Sequence, residues 1–291
     1  MKLSPRTKKI LGLSLVLLFV LTTTGCAIPR NEDGTVKLIT TATTFSETMS
    51  SENWFSAIFV WPLSQMINHL SPKIGVGASI ALVTIIVNAI LIIATLRSTV
   101  AQQRMQMIQP ELERIQRKYE GRDDQTSKMR QASEMQALYK KYDINPASVL
   151  LVTFLQFPVI MAMYMSVHRS EAVQNGTFLG LGLQKTPLQG FQDGQYLYIV
   201  LFIVMVAAQF LSMKIPEIIN KKRAEETAKK HHRRPADTTS SQAMTMQYSM
   251  LAMIAVFGLM WPTAMTVYWI INSLVNIGKT FIVQRVIEAN K

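Results

Sequence analysis

Four stretches of the chain contain no charged side chain and are long enough to cross a bilayer. They lie between Lys73 and Arg97, Asp143 and His168, Asp193 and Lys214, and Asp237 and Lys279. A spanning helix needs about 20 residues, so the first three stretches predict one span each and the last, with 41 residues, predicts two. Proline cannot continue a helix, and Trp261-Pro262 therefore separates the last two spans. The predicted spans are 74–96, 144–167, 194–213, 243–261 and 263–278.

The N-terminal residues 1–25 have the pattern of a secretory signal peptide. A basic start precedes an apolar run from Ile10 to Leu21 that is too short to span a bilayer. Cys26 follows Gly25 and resembles the acylated cysteine of bacterial lipoproteins; ordinary cleavage and an uncleaved anchor are the alternatives. Residues 26–51 are polar and predict an extracytoplasmic tether. Residues 52–71 combine aromatic and polar side chains and predict a helix lying in the membrane interface.

Lysine and arginine are distributed unevenly among the connecting segments. Residues 97–143 contain ten and residues 214–236 contain eight, whereas residues 168–195 contain two and residues 26–77 contain three. Basic loops stay on the cytoplasmic side of a membrane. We therefore expect segment 97–143, loop 214–242 and tail 279–291 in the cytoplasm, and the N-terminus and loop 168–193 outside.

Two amphipathic segments within 97–143 predict an antiparallel helical hairpin. Apolar side chains recur at spacings of three and four in each segment, and Gly121-Arg-Asp-Asp predicts the turn between them. The first segment presents Met105, Ile108, Leu112, Ile115 and Tyr119, and the second presents Met129, Ala132, Met135, Tyr139 and Tyr142. A linker needs only a few residues, so this apolar seam favours a binding role over a purely topological one. Loop 214–242 has a basic run, which fits topology, anionic lipid or RNA phosphates.

The composition argues against several functional classes. Hydrophobic residues make up 49% of the 291 residues and charged residues 16%, below the quarter or so that is usual in globular chains. The net charge of +12 is concentrated beside the apolar stretches, which indicates membrane topology rather than a nucleic-acid groove. One cysteine and four histidines predict no disulfide framework and no metal site. No nucleophile–base pair, P-loop or carboxylate pair indicates an enzyme.

The predicted spans carry amide and hydroxyl side chains instead of charges. Thr84 and Asn88 are four residues apart on the first span and therefore share a face. Gln156, Gln209 and Asn272 lie on the second, third and fifth spans. Polar groups in hydrocarbon must pair or face water. These side chains therefore either hold the helices together or line a hydrated cavity, and the absence of charges weighs against an ion-coupled pump.

Several motifs resemble the YidC-type members of the YidC/Oxa/Alb family of membrane protein insertases, in the lipoprotein form of Gram-positive bacteria. They are Met105-Gln106, Gln109-Pro110-Glu111, Ala137-Leu138-Tyr139-Lys140, Asn145-Pro146, Gln156-x-Pro158, Trp261-Pro262 and Tyr268-Trp269 with Asn272. The resemblance covers residues 52–285. It implies an all-α polytopic membrane protein with five transmembrane helices, a cytoplasmic helical hairpin and an extracytoplasmic interfacial helix.

The resemblance also implies a hydrophilic groove, open to cytoplasm and lipid, that receives the polar part of an incoming chain. The expected groove residues are Thr84, Asn88, Gln156, Gln209, Trp269 and Asn272. The expected hairpin site residues are Met105, Gln109, Pro110, Glu111 and Tyr139. The expected partners are nascent membrane proteins, membrane lipids, the Sec translocon, and the ribosome or signal recognition machinery, with no cofactor and no sequence-specific nucleic acid.

This chain departs from the family pattern in three places. Asn88 occupies the position of the family's groove arginine, Ile93 replaces a usual proline, and 148–152 replaces a Gly-Gly-Cys-x-Pro run. A cation in a low-dielectric cavity attracts acidic side chains far more strongly than an amide does. We therefore expect a different set of clients, unless Arg97 acts from the cytoplasmic end.

The sequence thus predicts an energy-independent insertase and chaperone in the bacterial cell membrane, acting alone or with the Sec translocon. The alternative is a small polytopic transporter or channel subunit whose basic loops are only topogenic. A hydrolase is a distant third, because the chain offers no nucleophile–base pair.

Overall fold

A computed structural model describes residues 28–230 and 241–289 of the chain. The predicted signal peptide, Cys26 and part of the basic loop 214–242 lie outside these residues. The chain divides into two compact units. The first comprises the chain up to Val83 together with Gln156–Gln184, and the second comprises Thr84–Leu155 together with the chain from Lys185 onwards.

Helices form most of the described residues, as the sequence predicts. They are α1 (Phe45–Ser51), a π-helical turn (Ser56–Val60), α2 (Trp61–Ile74), α3 (Val76–Met107), α4 (Gln109–Lys118), α5 (Gln125–Lys141), α6 (Pro146–Arg169), α7 (Glu171–Gln174), α8 (Pro187–Gln192), α9 (Leu197–Lys230), α10 (Ser241–Met260) and α11 (Thr263–Ala289). A short antiparallel pair, β1 (Thr177–Phe178) and β2 (Leu181–Gly182), lies in the segment predicted as an outer loop. This pair was not predicted.

Glycine and proline set several of these boundaries. Gly75 adopts φ +82° and ends α2, so that α3 begins one residue later. Pro146 begins α6, and Pro262 lies in the break between α10 and α11. Pro110 lies in the first turn of α4, where its missing donor would be unpaired in any case. The amphipathic segment predicted from Met105 to Tyr119 is therefore divided at Ile108.

Two of the described helices are long and apolar enough to cross a membrane. They are α3 and the part of α9 from Leu197 to Lys222. Their exposed side chains include Ile90, Ile93 and Ile203, and Ile93 is 82% exposed. Exposed apolar surface of this extent is costly in water and fits contact with lipid. Both helices are consistent with a helical membrane protein. Helix α3 continues to Met107, past the predicted end of the first span at 96.

In the first unit, the segment predicted as a tether is folded from Ile28 onwards. Ile39 is fully buried in an apolar cluster with Phe55 and Val60. Gln65 and Asn68 are among the polar side chains of the predicted interfacial helix 52–71. Both are buried, and they donate to backbone carbonyls of this folded segment at 2.7 to 2.8 Å. The polarity of α2 therefore serves internal packing.

A buried ion pair fixes the same segment. The side chains of Arg169 and Glu52 are 1% and 4% exposed, and the guanidinium donates to both carboxylate oxygens at 2.5 and 2.8 Å. Arg169 Nε also donates to the Lys37 carbonyl at 2.8 Å. A buried charge is tolerated only when it is paired and hydrogen-bonded. This pair accordingly joins the end of α6 to residues 37–52.

Candidate functional site

Buried polar side chains form a cluster in the second unit, on helices α3, α9 and α11. We define the central polar cluster as Thr84, Asn88, Gln209, Asn272 and Ser273. Thr84 and Ser273 are fully buried, and Asn88 and Asn272 are 7% and 8% exposed. Helical spacing explains why Thr84 and Asn88 share a face of α3, whereas Gln209, Asn272 and Ser273 join them through the packing of α9 and α11.

Hydrogen bonds connect the central polar cluster across the three helices. Asn88 Nδ2 donates to the Thr84 carbonyl at 2.9 Å and to Asn272 Oδ1 at 3.2 Å. Ser273 Oγ donates to Gln209 Oε1 on α9 at 2.8 Å. These groups are amides and hydroxyls, so the cluster offers donors and acceptors but carries no charge. It can solvate a polar group without attracting one sign of charge.

A stack of aromatic rings lies one turn away on α11. Trp269 is 6% exposed, and its ring lies 5.3 Å from that of Trp261, with the two planes 12° apart. Trp261 in turn stacks on Phe257 of α10 at 5.2 Å. The break at Pro262 brings α10 back against α11 and so makes this stack possible. Its rings supply a rigid apolar boundary three residues from Asn272.

Four of the predicted groove residues lie in the central polar cluster, and Gln156 does not. Thr84, Asn88 and Asn272 are hydrogen-bonded together, and Gln209 is linked to them through Ser273 beside Asn272. Gln156 is half-buried on α6 in the first unit and is not part of the central polar cluster.

Arg97 does not supply the missing cation. It is exposed on α3, whereas Thr95 and Thr99 on either side of it are buried. Residues two apart on a helix point in nearly opposite directions, so Arg97 faces away from this polar face. This geometry gives no support to the expectation that Arg97 acts from the cytoplasmic end.

The polar face extends further than the sequence had indicated. Additional polar side chains that are at least nine-tenths buried lie on the same three helices: Thr95, Thr99, Gln103, Asn220, Thr280 and Gln284. Those on α3 and α11 recur every four residues, a signal that was present in the sequence. The predicted first span ends at 96, before the first charge at Arg97, and so excludes Thr99 and Gln103.

The hairpin predicted between the first two spans is present in the second unit as α4 and α5. Ile108, Leu112, Leu138 and Ile144 form its buried core. Met105, Ile115, Met135, Tyr139 and Tyr142 pack against this core and are half-buried. Gly121 adopts φ +75° in the turn, a conformation that glycine tolerates without strain.

The seam predicted on the second arm is partly wrong. Met129 is 68% exposed and Ala132 is also exposed. Leu138, which the predicted seam omitted, is 7% exposed and occupies the centre of the contact. Met135, Leu138 and Tyr142 are spaced by three and four residues and so define the inner face.

Polar contacts tie the hairpin at both ends. At its base, Glu111 accepts a hydrogen bond from the Tyr142 hydroxyl, and its carboxylate lies 3.5 Å from Lys141 Nζ. Near the turn, Glu134 accepts from Lys118 Nζ at 2.6 Å and from the Tyr119 hydroxyl at 2.8 Å.

The same contacts shift ionisation. The hydrogen bond from Lys118 lowers the pKa of Glu134, and burial raises the pKa of Tyr142. The remaining predicted hairpin residues, Gln109 and Pro110, are half-buried where α3 gives way to α4.

Comparisons with known proteins agree on one family. The family model described as the 60Kd inner membrane protein matches residues 66–290. The chain is 28% identical over 240 residues to the membrane protein insertase MisCA of Bacillus subtilis, covering 81% of this chain and 82% of the relative. It is 31% identical over 224 residues to the membrane protein insertase YidC 1 of Streptococcus pyogenes serotype M3, covering 77% and 71%. It is 27% identical over 258 residues to the insertase YidC of Mycoplasma pneumoniae, covering 82% and 66%.

Proposed function

The chain belongs to the 60Kd inner membrane protein family and is a membrane protein insertase, and we propose that its clients cross by way of the central polar cluster. The supporting observation is the amide pair Asn88–Asn272, buried on facing helices and joined at 3.2 Å. In hydrocarbon the two amides have no water to bond to, so they bond to each other. A polar segment of a client that enters beside them can replace this bond with hydrogen bonds of its own.

The proposed mechanism lowers the cost of moving a short polar segment through hydrocarbon. Transfer of an amide to a medium without hydrogen bonds costs about 4–8 kcal/mol. Asn88, Asn272 and Gln209 would offer replacement partners, Thr84 and Ser273 would orient those amides, and the ring of Trp269 would bound the path. The client's apolar segment would meanwhile pass to the lipid along the exposed apolar sides of the helices. No covalent bond is made or broken, so the proposal assigns no enzymatic step.

The alternative of a transporter or channel subunit gains no support from the comparisons. The relatives described above are all named membrane protein insertases. A hydrolase is likewise unsupported by any relative described here.

We extend the proposal to topology and partners. The five predicted spans are supported by the lengths of the four uncharged stretches of the sequence. An outer N-terminus and a cytoplasmic C-terminus are supported by the distribution of Lys and Arg. Lipidation of Cys26 is supported by its position after Gly25, and the mass of the mature N-terminus tests it. We propose that the hairpin and the basic loop 214–242 contact the Sec translocon or the ribosome. The packed apolar core of the hairpin supports its part in this contact, and the positive charge of 214–242 supports the part of the loop.

Client selection is a further part of the proposal. The central polar cluster is neutral, so it should accept uncharged translocated segments without a preference for acidic ones. Introducing a cation by Asn88→Arg should shift insertion towards clients with acidic translocated tails, because charge–charge attraction is strong in low dielectric. A client profile that stays the same in Asn88→Arg would show that position 88 does not meet the client.

The deciding experiment is in vivo photo-crosslinking from position 88 to nascent membrane proteins. We expect client crosslinks from position 88. A matched control is Ile203, which is 58% exposed on α9 and should crosslink mainly to lipid. Efficient membrane insertion without any crosslink from position 88 would contradict a route through the central polar cluster.

A further inference from the structure

A second set of amides lies on helices α3, α9 and α11, away from the central polar cluster. Asn220 Nδ2 donates to Gln106 Oε1 at 3.3 Å, and Gln284 Nε2 donates to Asn220 Oδ1 at 3.4 Å. Asn220 and Gln284 are each 6% exposed. We name these three residues the amide bridge. Within the amide bridge, Asn220 of α9 bonds both to Gln106 in the last turn of α3 and to Gln284 of α11.

Buried acceptors without partners lie beside the amide bridge. Thr99 Oγ1, Gln103 Oε1 and Gln284 Oε1 have no hydrogen-bond partner in the part of the chain that the structure describes. Gln103 follows Thr99 by four residues and precedes Gln106 by three, so the three lie on one side of α3. Buried polar atoms are nearly always paired, and exceptions need an explanation. Gln103 Oε1 and Gln284 Oε1 can only accept hydrogen bonds, and the Thr99 hydroxyl can accept as well as donate, so a donor would satisfy all three atoms.

The amide bridge is also built to open easily. Its two bonds are longer than the 2.7–3.2 Å usual for N–H···O contacts, and each is therefore weak. Gln106 lies two residues before Ile108, where α3 ends and the hairpin begins. Breaking the bond from Asn220 to Gln106 would release the last turn of α3, next to the hairpin.

We propose that the amide bridge is a latch over a second client-binding station formed by Thr99, Gln103 and Gln284. Backbone N–H groups and polar side chains of a client donate to these acceptors, and Asn220 then loses its hold on Gln106 and Gln284. This inference rests on the proposed function, because it identifies the donor as a membrane protein in transit. The station lies about 16–22 Å along α3 from Asn88, on the hairpin side. A polar segment delivered by the hairpin thus meets it before the central polar cluster.

The latch is tested without any client, by the accessibility of a cysteine introduced as Thr99→Cys. Inverted membrane vesicles are treated with N-ethylmaleimide, and modification at position 99 is quantified by peptide mass. Asn220→Leu removes the donor and the acceptor while keeping a side chain of similar length. It should raise the labelling rate about tenfold, which corresponds to about 1.4 kcal/mol of latch stabilisation. Gln106→Ala removes only the bond from Asn220 Nδ2, keeps the bond from Gln284, and should give a smaller increase.

Two controls separate opening from general disruption. Ile218→Leu lies on the exposed side of α9, where the side chain is 51% exposed, and should leave labelling at position 99 unchanged. Gln116→Cys on the exposed face of the hairpin should react equally in all backgrounds. Labelling at position 99 that does not change in Asn220→Leu would overturn the latch. If Asn220→Leu fails to accumulate, Gln106→Ala is used instead, because it breaks the same bridge at its exposed end. Unchanged labelling at position 99 in Gln106→Ala would then overturn the latch.

The station itself is tested by crosslinking from position 99 to a nascent membrane protein. We expect crosslinks from position 99 to precede those from position 88 as the chain lengthens. Crosslinks from position 88 with none from position 99 would overturn the station and leave the insertase function intact. Their absence from both positions would instead count against the proposed route.

Discussion

Replacing both asparagines of the central pair by leucine should separate stability from insertion. Each single variant, Asn88→Leu or Asn272→Leu, removes the 3.2 Å bond and leaves the opposite amide buried without that partner. The double variant leaves no amide at either position. The comparison therefore asks whether the pair only joins two helices or also serves the client.

The structure sets the size of the expected effects. Leaving a buried polar group unpaired costs about 1–3 kcal/mol, and interhelical hydrogen bonds in membranes average about 0.6 kcal/mol. We expect each single variant to lose about 1 kcal/mol of unfolding free energy. The double variant should lose less than either single variant, because no orphaned amide remains. Its insertion rate should nevertheless fall about tenfold if a transition-state contribution of about 1.4 kcal/mol is lost.

Two measurements test this reasoning. Unfolding of the purified protein in mixed detergent and SDS gives the stability of each variant. Protease protection of a client's translocated tail in proteoliposomes gives the insertion rate. A double variant with recovered stability and an undiminished insertion rate would show that the pair only holds α3 to α11, and the route through the central polar cluster would then be refuted.

Three further predictions concern other parts of the chain. Deleting residues 101–142 should abolish insertion while the protein still accumulates, and normal insertion would contradict a role for the hairpin. Arg169→Ala should destabilise the first unit by about 3–5 kcal/mol because Glu52 stays buried and unpaired, and limited proteolysis should detect it; adding Glu52→Ala should restore part of the loss. The hydrogen bond from Lys118 lowers the pKa of Glu134 below its ordinary value of 4.5. The contacts of the Glu134 carboxylate therefore stabilise the hairpin fully at pH values above 4.5, and this stabilisation is lost as the pH falls through the lowered pKa. Hydrogen exchange at the hairpin turn should show this loss, and Glu134→Gln should remove the pH dependence.

Part of the site was predictable because its signal is periodic. Thr84 and Asn88 share a face by their spacing alone, and the structure places both in the central polar cluster. The same rule applies to Thr99 and Gln103, but the predicted span ends before both of them, at the first charge, Arg97. A helix does not end where charges begin, and α3 continues to Met107 because no glycine or proline interrupts it.

The hairpin shows the limit of periodicity. Spacings of three and four fitted both an exposed row containing Met129 and a buried row containing Leu138. The two rows differ by a rotation of the helix about its axis. Only contact with Leu112 on the opposite arm selects the buried one, because apolar area is removed from water on that side alone.

The sequence by itself determined where apolar helices occur and that their polar interruptions are amides and hydroxyls, because hydropathy and helix termination are local properties. Only the tertiary structure decided which of those groups meet. Asn88 pairs with Asn272, 184 residues away, whereas Gln156 belongs to a different unit. The physical reason is that a buried amide must find a partner within about 3 Å. The packing of α3, α9 and α11 determines which partner that is.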